Sequence, residues 1–292
     1  GIWVALSMIG VSSIGMILFT SRPVGDAMAT TIWGASSSWT LTALPLFVWM
    51  GEILFRTKLS ENLFKGLAPW MQRLPGGLIH VNVVGCALFA AISGSSAATV
   101  ATVGKMSIPE LRKRKYPEKI LLGSLAGSGT LGLLIPPSII LIIYGVTVQE
   151  SIAKLFIAGI IPGIMIALIF MSYVVVWSLI NKKSMPKSSE NSSFLEKVKK
   201  KKQLMPVILL ILAVIGSIYT GVATATEAAS LGVVGALILS YFQKSLTMET
   251  FKSSLLGATK TSCMIAFILA GATFLSLAMG FTGLPRNLAI WI

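Results

Sequence analysis

Ser93-Gly94-Ser95-Ser96 and Gly127-Ser128-Gly129 through Pro136-Pro137-Ser138 are two polar, helix-breaking clusters within Leu74–Ser138, a stretch that otherwise reads as lipid-soluble. Backbone that leaves a helix at membrane depth has to line a cavity or be buried in protein, because hydrocarbon offers no partner to a freed N–H or C=O. Two such breaks close together point to a binding site.

Composition sets the solvent. The chain is 54% hydrophobic and 12% charged over 292 residues, which describes a polytopic membrane protein rather than a soluble domain. Its net charge of +14 is carried in loops, so it reads as the cytoplasmic Lys/Arg excess of a membrane protein and not as a nucleic-acid surface. Cys86 and Cys263 both lie in apolar stretches without metal-ligand spacing and read as packing residues. Gly1 opens directly into an apolar run and the chain stops at Ile292 within an amphipathic segment, so a fragment missing both ends is expected, with no signal peptide to interpret.

Outward from the centre, residues 2–20 and 39–55 read as spans. Glu52 and Arg56 stand at i,i+4 at the end of the second span, the spacing of a helix-end ion pair. Thr57–Arg73 is amphipathic and fits a helix lying in the interface. Leu78–Gly104 carries no charge, yet Ser93-Gly94-Ser95-Ser96 cuts it into halves too short to span; a re-entrant hairpin with the serine-glycine cluster at its tip is the economical reading. Residues 120–146 form one span interrupted at Gly129–Ser138, where two prolines remove two N–H donors. Residues 155–180 form another, kinked at Pro162-Gly163, and 182–202 hold eight lysines and read as a solvated loop. Spans follow at 206–221, 227–243 and about 255–279.

Basic residues test the topology. If 78–104 returns to its side of entry and every other segment crosses once, 21 of the 24 Lys and Arg fall on one side, in 56–73, 105–119, 182–202 and 244–260. If 78–104 crossed, the basic loops would be split, contrary to the positive-inside bias. The hairpin therefore enters from the cytoplasm.

At an offset of 225, Thr57, Leu59, Asn62 and Leu63 fall on Thr282, Leu284, Asn287 and Leu288, and Leu6 and Gly10 fall on Leu231 and Gly235. In both copies a span, a second span and the T-x-L-x-x-N-L segment follow in order. An odd number of crossings separates them, so the second copy is inverted, the architecture of secondary transporters that bind at a repeat interface.

The site chemistry follows from the residue types. Hydroxyl and carbonyl oxygens suit a hard monovalent cation such as sodium, and half-helix N-termini suit a carboxylate. Ser93, Ser95, Ser96, Thr99 and Ser138 are the candidate substrate-binding residues; Ser93, Gly94, Ser95, Gly129, Gly132 and Pro136 are the candidate sodium ligands. The alternative is that Ser-Gly-Ser-Ser only lets helices pack closely. No enzyme constellation appears: His80 is the lone histidine and reads as a packing residue, there is no phosphate-binding Gly-rich loop, and Glu227 fits a helix cap or an ion-coupling role. No organic cofactor is expected.

Leu44-Pro45-Leu46-Phe47-Val48-Trp49-Met50-Gly51-Glu52, Ala91-Ile92-Ser93-Gly94-Ser95-Ser96-Ala97-Ala98-Thr99 and Gly129-Thr130-Leu131-Gly132-Leu133-Leu134-Ile135-Pro136-Pro137-Ser138 resemble the large membrane subunit of tripartite ATP-independent periplasmic (TRAP) transporters, as do Leu155–Gly163 and Thr226-Glu227-Ala228-Ala229. The resemblance implies an all-α polytopic membrane protein: an inverted-repeat, elevator-type transporter with a re-entrant helical hairpin and a broken helix. It implies a sodium-coupled importer of organic acids in the bacterial cytoplasmic (inner) membrane. Its implied partners are a small membrane subunit, an extracytoplasmic substrate-binding protein and membrane lipid. On that pattern 1–73 holds scaffold spans and an arm helix, 74–180 the first transport-domain half, 181–205 a cytoplasmic Lys-rich loop, and 206–292 a connecting span and the start of the second repeat. A carboxylate or ion transporter working without a binding protein, or an intramembrane enzyme using Glu52 or Glu227, are the alternatives.

The repeat makes one sharp prediction. Beyond Ile292 the full protein is expected to contain a second hairpin and a second interrupted helix entering from the outside; sequencing a gene that ends near residue 292 would refute it.

Overall fold

The computed structural model describes residues 3–57, 66–186 and 194–291, with backbone alone over 194–204. It is all-helical among these residues. In order they are α1 (Val4–Phe19), α2 (Val24–Ser36), a 3-10 turn at Trp39–Thr42, α3 (Ala43–Arg56), α4 (Ile79–Ser93), α5 (Ser96–Lys113), α6 (Glu118–Gly129), a 3-10 turn at Thr130–Leu133, α7 (Ile139–Val148), α8 (Ile152–Ile180), a short 3-10 turn at Lys182–Ser184, α9 (Phe194–Tyr219), α10 (Ala225–Phe242), α11 (Met248–Thr282) and α12 (Leu284–Trp291). Helices α8, α10 and α11 are each long and apolar enough to cross a membrane. Shorter apolar helices include α1, α4 and α7.

The two sequence breaks are real helix breaks. Helix α4 ends at Ser93 and α5 begins at Ser96, while α6 ends at Gly129 and α7 resumes at Ile139. Three boundaries and one helix differ from the sequence expectation. The second hairpin arm does not stop near Gly104 but runs to Lys113, because its polar end is itself helical: Glu110 and Arg114, at i,i+4, pair at 2.7 Å. The stretch 194–202, expected as loop, is the opening of α9; lysine is a good helix former and this run continues directly into apolar sequence. Helix α11 likewise begins at Met248, inside the stretch 244–260 taken as a loop. Helix α2 was not expected at all: its Gly, Ala and Thr content gives a weak apolar signal, yet Val24–Ser36 is helical. Helix α8 continues through Pro162. Part of the interfacial helix expected at Thr57–Arg73 falls on 58–65, outside the described residues; 66–71 are helical.

The offset of 225 maps α1 onto 229–244, over α10, and 24–56 onto 249–281, over α11. The copies differ in one respect: the first is divided into α2, a turn and α3, whereas the second is a single helix of 35 residues.

The chain forms two compact units, Gly1–Thr42 with Thr259–Ile292, and Ala43–Ala258. In the first, Met16, Phe274 and Ala278 make the core, with Ile9, Met28 and Leu277 packed on it, and the Arg22 guanidinium lies 4.4 Å over the Phe281 ring. In the second, Ile79, Val83, Ile120 and Val174 join the first hairpin arm to α6 and α8. Phe47 meets Phe156 edge to face at 6.0 Å, and Trp49 donates its indole N–H to the Ser254 hydroxyl at 3.3 Å. At the base of the hairpin, Tyr116 accepts a hydrogen bond from the Leu78 N–H at 3.2 Å, and burial pushes its phenol above the usual range.

Met16→Ala removes a fully buried side chain from the Phe274 cluster and is expected to destabilise the first unit by on the order of 2 kcal/mol. Thermal unfolding of the purified chain in detergent is the measurement; an unchanged midpoint would show that this cluster contributes no packing energy.

Candidate functional site

Four helix ends meet at the two breaks. Ser93 ends α4 and Gly94 caps it in the left-handed conformation at φ 59°, a shape that glycine adopts without a Cβ penalty. Ser95 then caps the N-terminus of α5, its hydroxyl accepting from the Ala98 N–H at 3.4 Å. Ser138 caps α7 in the same way, accepting from the Leu141 N–H at 3.5 Å. Each break thus presents one C-terminal end, partially negative, and one N-terminal end, partially positive.

Main chain joins the two breaks. The Ile139 N–H, in the first turn of α7, donates to the Gly94 carbonyl at 3.2 Å. A Cβ at Gly94 would sit 2.7 Å from the Pro137 carbonyl oxygen, and one at Gly132 would sit 2.9 Å from the Ser96 amide nitrogen. Both positions are filled by backbone of the opposite break, so neither tolerates a side chain. Gly129 lies against Val100 on the second hairpin arm. The peptide between Pro136 and Pro137 is cis.

The expected site residues therefore converge, in different ways. Ser93 and Thr99 share a hydrogen bond at 2.9 Å between their hydroxyls and are both buried. Ser93 also receives the Ser95 N–H at 3.3 Å, closing the tip on itself. Ser138, fully buried, donates to the Leu133 carbonyl at 2.8 Å instead of turning toward the hairpin. Pro136 and Pro137 have no N–H, so Gly132 and Leu133 lose their helical amide partners; the Ser138 hydroxyl takes over at Leu133 only. Ser96 differs from the others: its Oγ is buried and has no hydrogen-bond partner among the described residues, and its amide lies beside Gly132. Pro136 is buried.

Sequence reasoning missed two supports. Gly51 of α3 packs on the hairpin tip, where a Cβ would approach the Ser93 Cα to 2.9 Å. The only signal was a glycine between Met50 and Glu52. Asn82, fully buried on α4, donates to the Leu121 carbonyl at 3.2 Å and the Ser124 hydroxyl at 3.0 Å on α6. A lone Asn in a 27-residue uncharged run was the available signal.

The two carboxylates that the enzyme alternative relies on, Glu52 and Glu227, both have partners. Glu52 pairs with Arg56 at 2.9 Å, and Glu227 forms a capping box with Thr224, its carboxylate accepting from the Thr224 N–H and hydroxyl at 2.8 Å each. The single histidine, His80, bonds the Pro75 carbonyl through Nε2 at 2.7 Å.

Residues 1–292 match the family described as "Tripartite ATP-independent periplasmic transporter, DctM component". The chain is 32% identical over 97% of its length to the C4-dicarboxylate TRAP transporter large permease protein of Pseudomonas aeruginosa, covering 66% of that protein. It is 32% identical over 99% of its length to the sialic acid TRAP transporter large permease protein of Vibrio cholerae, covering 67% of it. To the ectoine/5-hydroxyectoine TRAP transporter large permease protein of Ruegeria pomeroyi it is 31% identical over 85% of its length, covering 58% of that protein. The chain spans between 58% and 67% of the length of these relatives. It belongs to the large permease family of TRAP transporters, a family of multi-pass transporter subunits and not of enzymes.

Gly132→Ala pushes a methyl into the hairpin tip and is expected to lower stability by on the order of 2 kcal/mol. Gly123→Ala on the same helix pair, where nothing lies within 4 Å, is expected to be neutral or slightly stabilising. Equal thermal midpoints for the two variants would refute the interlocked breaks.

Proposed function

We propose that this chain is the permease subunit of a sodium-coupled secondary transporter that imports organic acids across the bacterial cytoplasmic membrane. An extracytoplasmic binding protein delivers the substrate, and a small membrane subunit packs beside the permease among the surrounding lipid. Both partners are inferred from the tripartite family. The cargo class is inferred from relatives named for C4-dicarboxylates and sialic acid.

One observation carries the reading: the convergence of two helix N-termini and two helix C-termini at the joined breaks, beside Ser96, whose buried hydroxyl has no partner among the described residues. The amides of Ser96 and Ala97 stand in the first turn of α5, where a helix has no acceptor of its own, and face an anion favourably. The oxygens fit a sodium ion: they are neutral hydroxyls and carbonyls at helix C-terminal ends, a hard donor set. When bound, sodium would supply the positive charge that holds a carboxylate beside it. The residues that would hold it are Ser93, Gly94, Ser95, Gly129, Gly132 and Pro136, with the Ser96 hydroxyl added by the geometry. The Ser93–Thr99 pair stiffens the tip, and the main-chain joint keeps hairpin and broken helix together. That rigidity favours an elevator mechanism, in which the whole joined body moves across the membrane rather than opening at one break.

Uptake of radiolabelled organic acids into proteoliposomes holding the full complex tests the proposal, with and without an inward sodium gradient. Uptake is expected only with the gradient; sodium-independent uptake removes the coupling. Ser96→Ala is expected to raise the sodium concentration for half-maximal uptake about tenfold, equivalent to about 1.4 kcal/mol for one lost oxygen contact to a charge. Ser95→Ala with Pro136→Ala is expected to cost more uptake than loss of both Glu52 and Glu227.

A further inference from the structure

We infer that one buried water molecule bridges Asn82 of α4 and Ser107 of α5, beside Leu121 and Ser124 of α6, in a polar layer below the hairpin tip and separate from the proposed ion site. Both side chains are fully buried. Asn82 Oδ1 and Ser107 Oγ each lack a hydrogen-bond partner among the described residues. Unmet polar atoms in an apolar interior cost about 1–3 kcal/mol each, so two at one level need a common explanation.

Three helix registers place them at one level. Gly85 of α4 faces Val103 of α5, where a Cβ would lie 3.6 Å from a Val103 methyl. One turn from that contact, Asn82 is three residues before Gly85 and Ser107 four after Val103, which puts both on the facing sides of the arms. Gly104 of α5 in turn faces Leu125 of α6, where a Cβ would lie 2.9 Å from a Leu125 methyl. Three residues on from Gly104 is again Ser107, and four back from Leu125 is Leu121, whose carbonyl receives the Asn82 amide. That bond also fixes the amide orientation, because a carbonyl only accepts: Nδ2 faces α6, and Oδ1 is the atom left over. Ser124 is already engaged, accepting from Asn82 Nδ2 and donating to the Leu121 carbonyl at 3.0 Å.

The chemistry selects water over an ion. Oδ1 requires a donor and the Ser107 hydroxyl can give or receive, which is the complement of a water molecule. Two neutral oxygens are too few to replace a cation's hydration shell. Among the described residues no counter-charge is at hand: α4 has no charged side chain, and Glu110 and Glu118 are paired with Arg114 and Arg112 at 2.7 Å each. The water would tie both hairpin arms to α6 and hold the register on which the site above depends.

Two measurements on the full permease with its partners test this. X-ray radiolysis in 18O-enriched water generates hydroxyl radicals at bound waters, and 18O incorporation at Cys86, a buried residue one turn from Asn82, is expected to outpace that at buried Phe89. In the Asn82→Leu, Ser107→Ala double variant the Cys86 rate is expected to fall severalfold. Absent incorporation in the native protein, or an equal rate in the variant, overturns the inference. An experimental map that resolves ordered waters is expected to show one peak within hydrogen-bond distance of both atoms. A direct Asn82–Ser107 bond, or a peak ringed by further oxygens at alkali-ion distances, overturns it, and neither result bears on sodium coupling.

Discussion

Everything at the centre of this molecule depends on finding partners for main-chain groups that two helix breaks release inside an apolar domain. The hydrogen bond from the Ile139 N–H to the Gly94 carbonyl is the answer the fold adopts: each break satisfies a group of the other. The local caps follow from the same need. Ser95 and Ser138 each spend a hydroxyl on a first-turn amide, and the Ser138 hydroxyl also meets the Leu133 carbonyl that a proline left unpaired. Glycine is required wherever one backbone presses on the other, because hydrogen-bond distance between main chains leaves no room for a Cβ at residues 94 and 132.

Much of this was legible in the sequence, for physical reasons. Helix breakers in an apolar run cannot be silent, so Ser93–Ser96 and Gly129–Ser138 marked both breaks to within a residue or so. The i,i+4 spacing likewise revealed Glu52 with Arg56. What was not legible falls into two kinds. Helix ends that carry charge, such as Ile108–Lys113 and the opening of α9, look like loops to a hydropathy reading, although lysine, arginine and glutamate are good helix formers. Long-range packing leaves almost no trace: nothing in sequence spacing brings Gly51 to Ser93, or sets Asn82 opposite Leu121. Nor could hydroxyl-bearing residues be ranked from sequence. Ser93, Thr99 and Ser138 turn out to be engaged internally, which leaves Ser96 distinct.

The family relationship and the geometry constrain different things. Similarity over the whole chain establishes what kind of protein this is, and relatives named for different solutes are similar to it over most of its length. The geometry speaks to how such a scaffold is held rigid. Glu52 and Glu227, the charged groups that an intramembrane enzyme would need, serve an ion pair and a helix cap instead. The repeat adds a further asymmetry: one helix of 35 residues in the second copy occupies the register of a divided segment in the first.

The joint between the breaks is made of main chain, and that has an evolutionary consequence. A side-chain replacement at Ser95, Ser96 or Thr99 leaves the Ile139–Gly94 bond in place, so the hydroxyl pattern around the site can be rewritten without dismantling its frame. Proline at 139, or bulk at 94 or 132, attacks the frame directly. Such a design separates the main chain that holds the two breaks together from the side chains that surround them, so one can vary while the other is inherited unchanged.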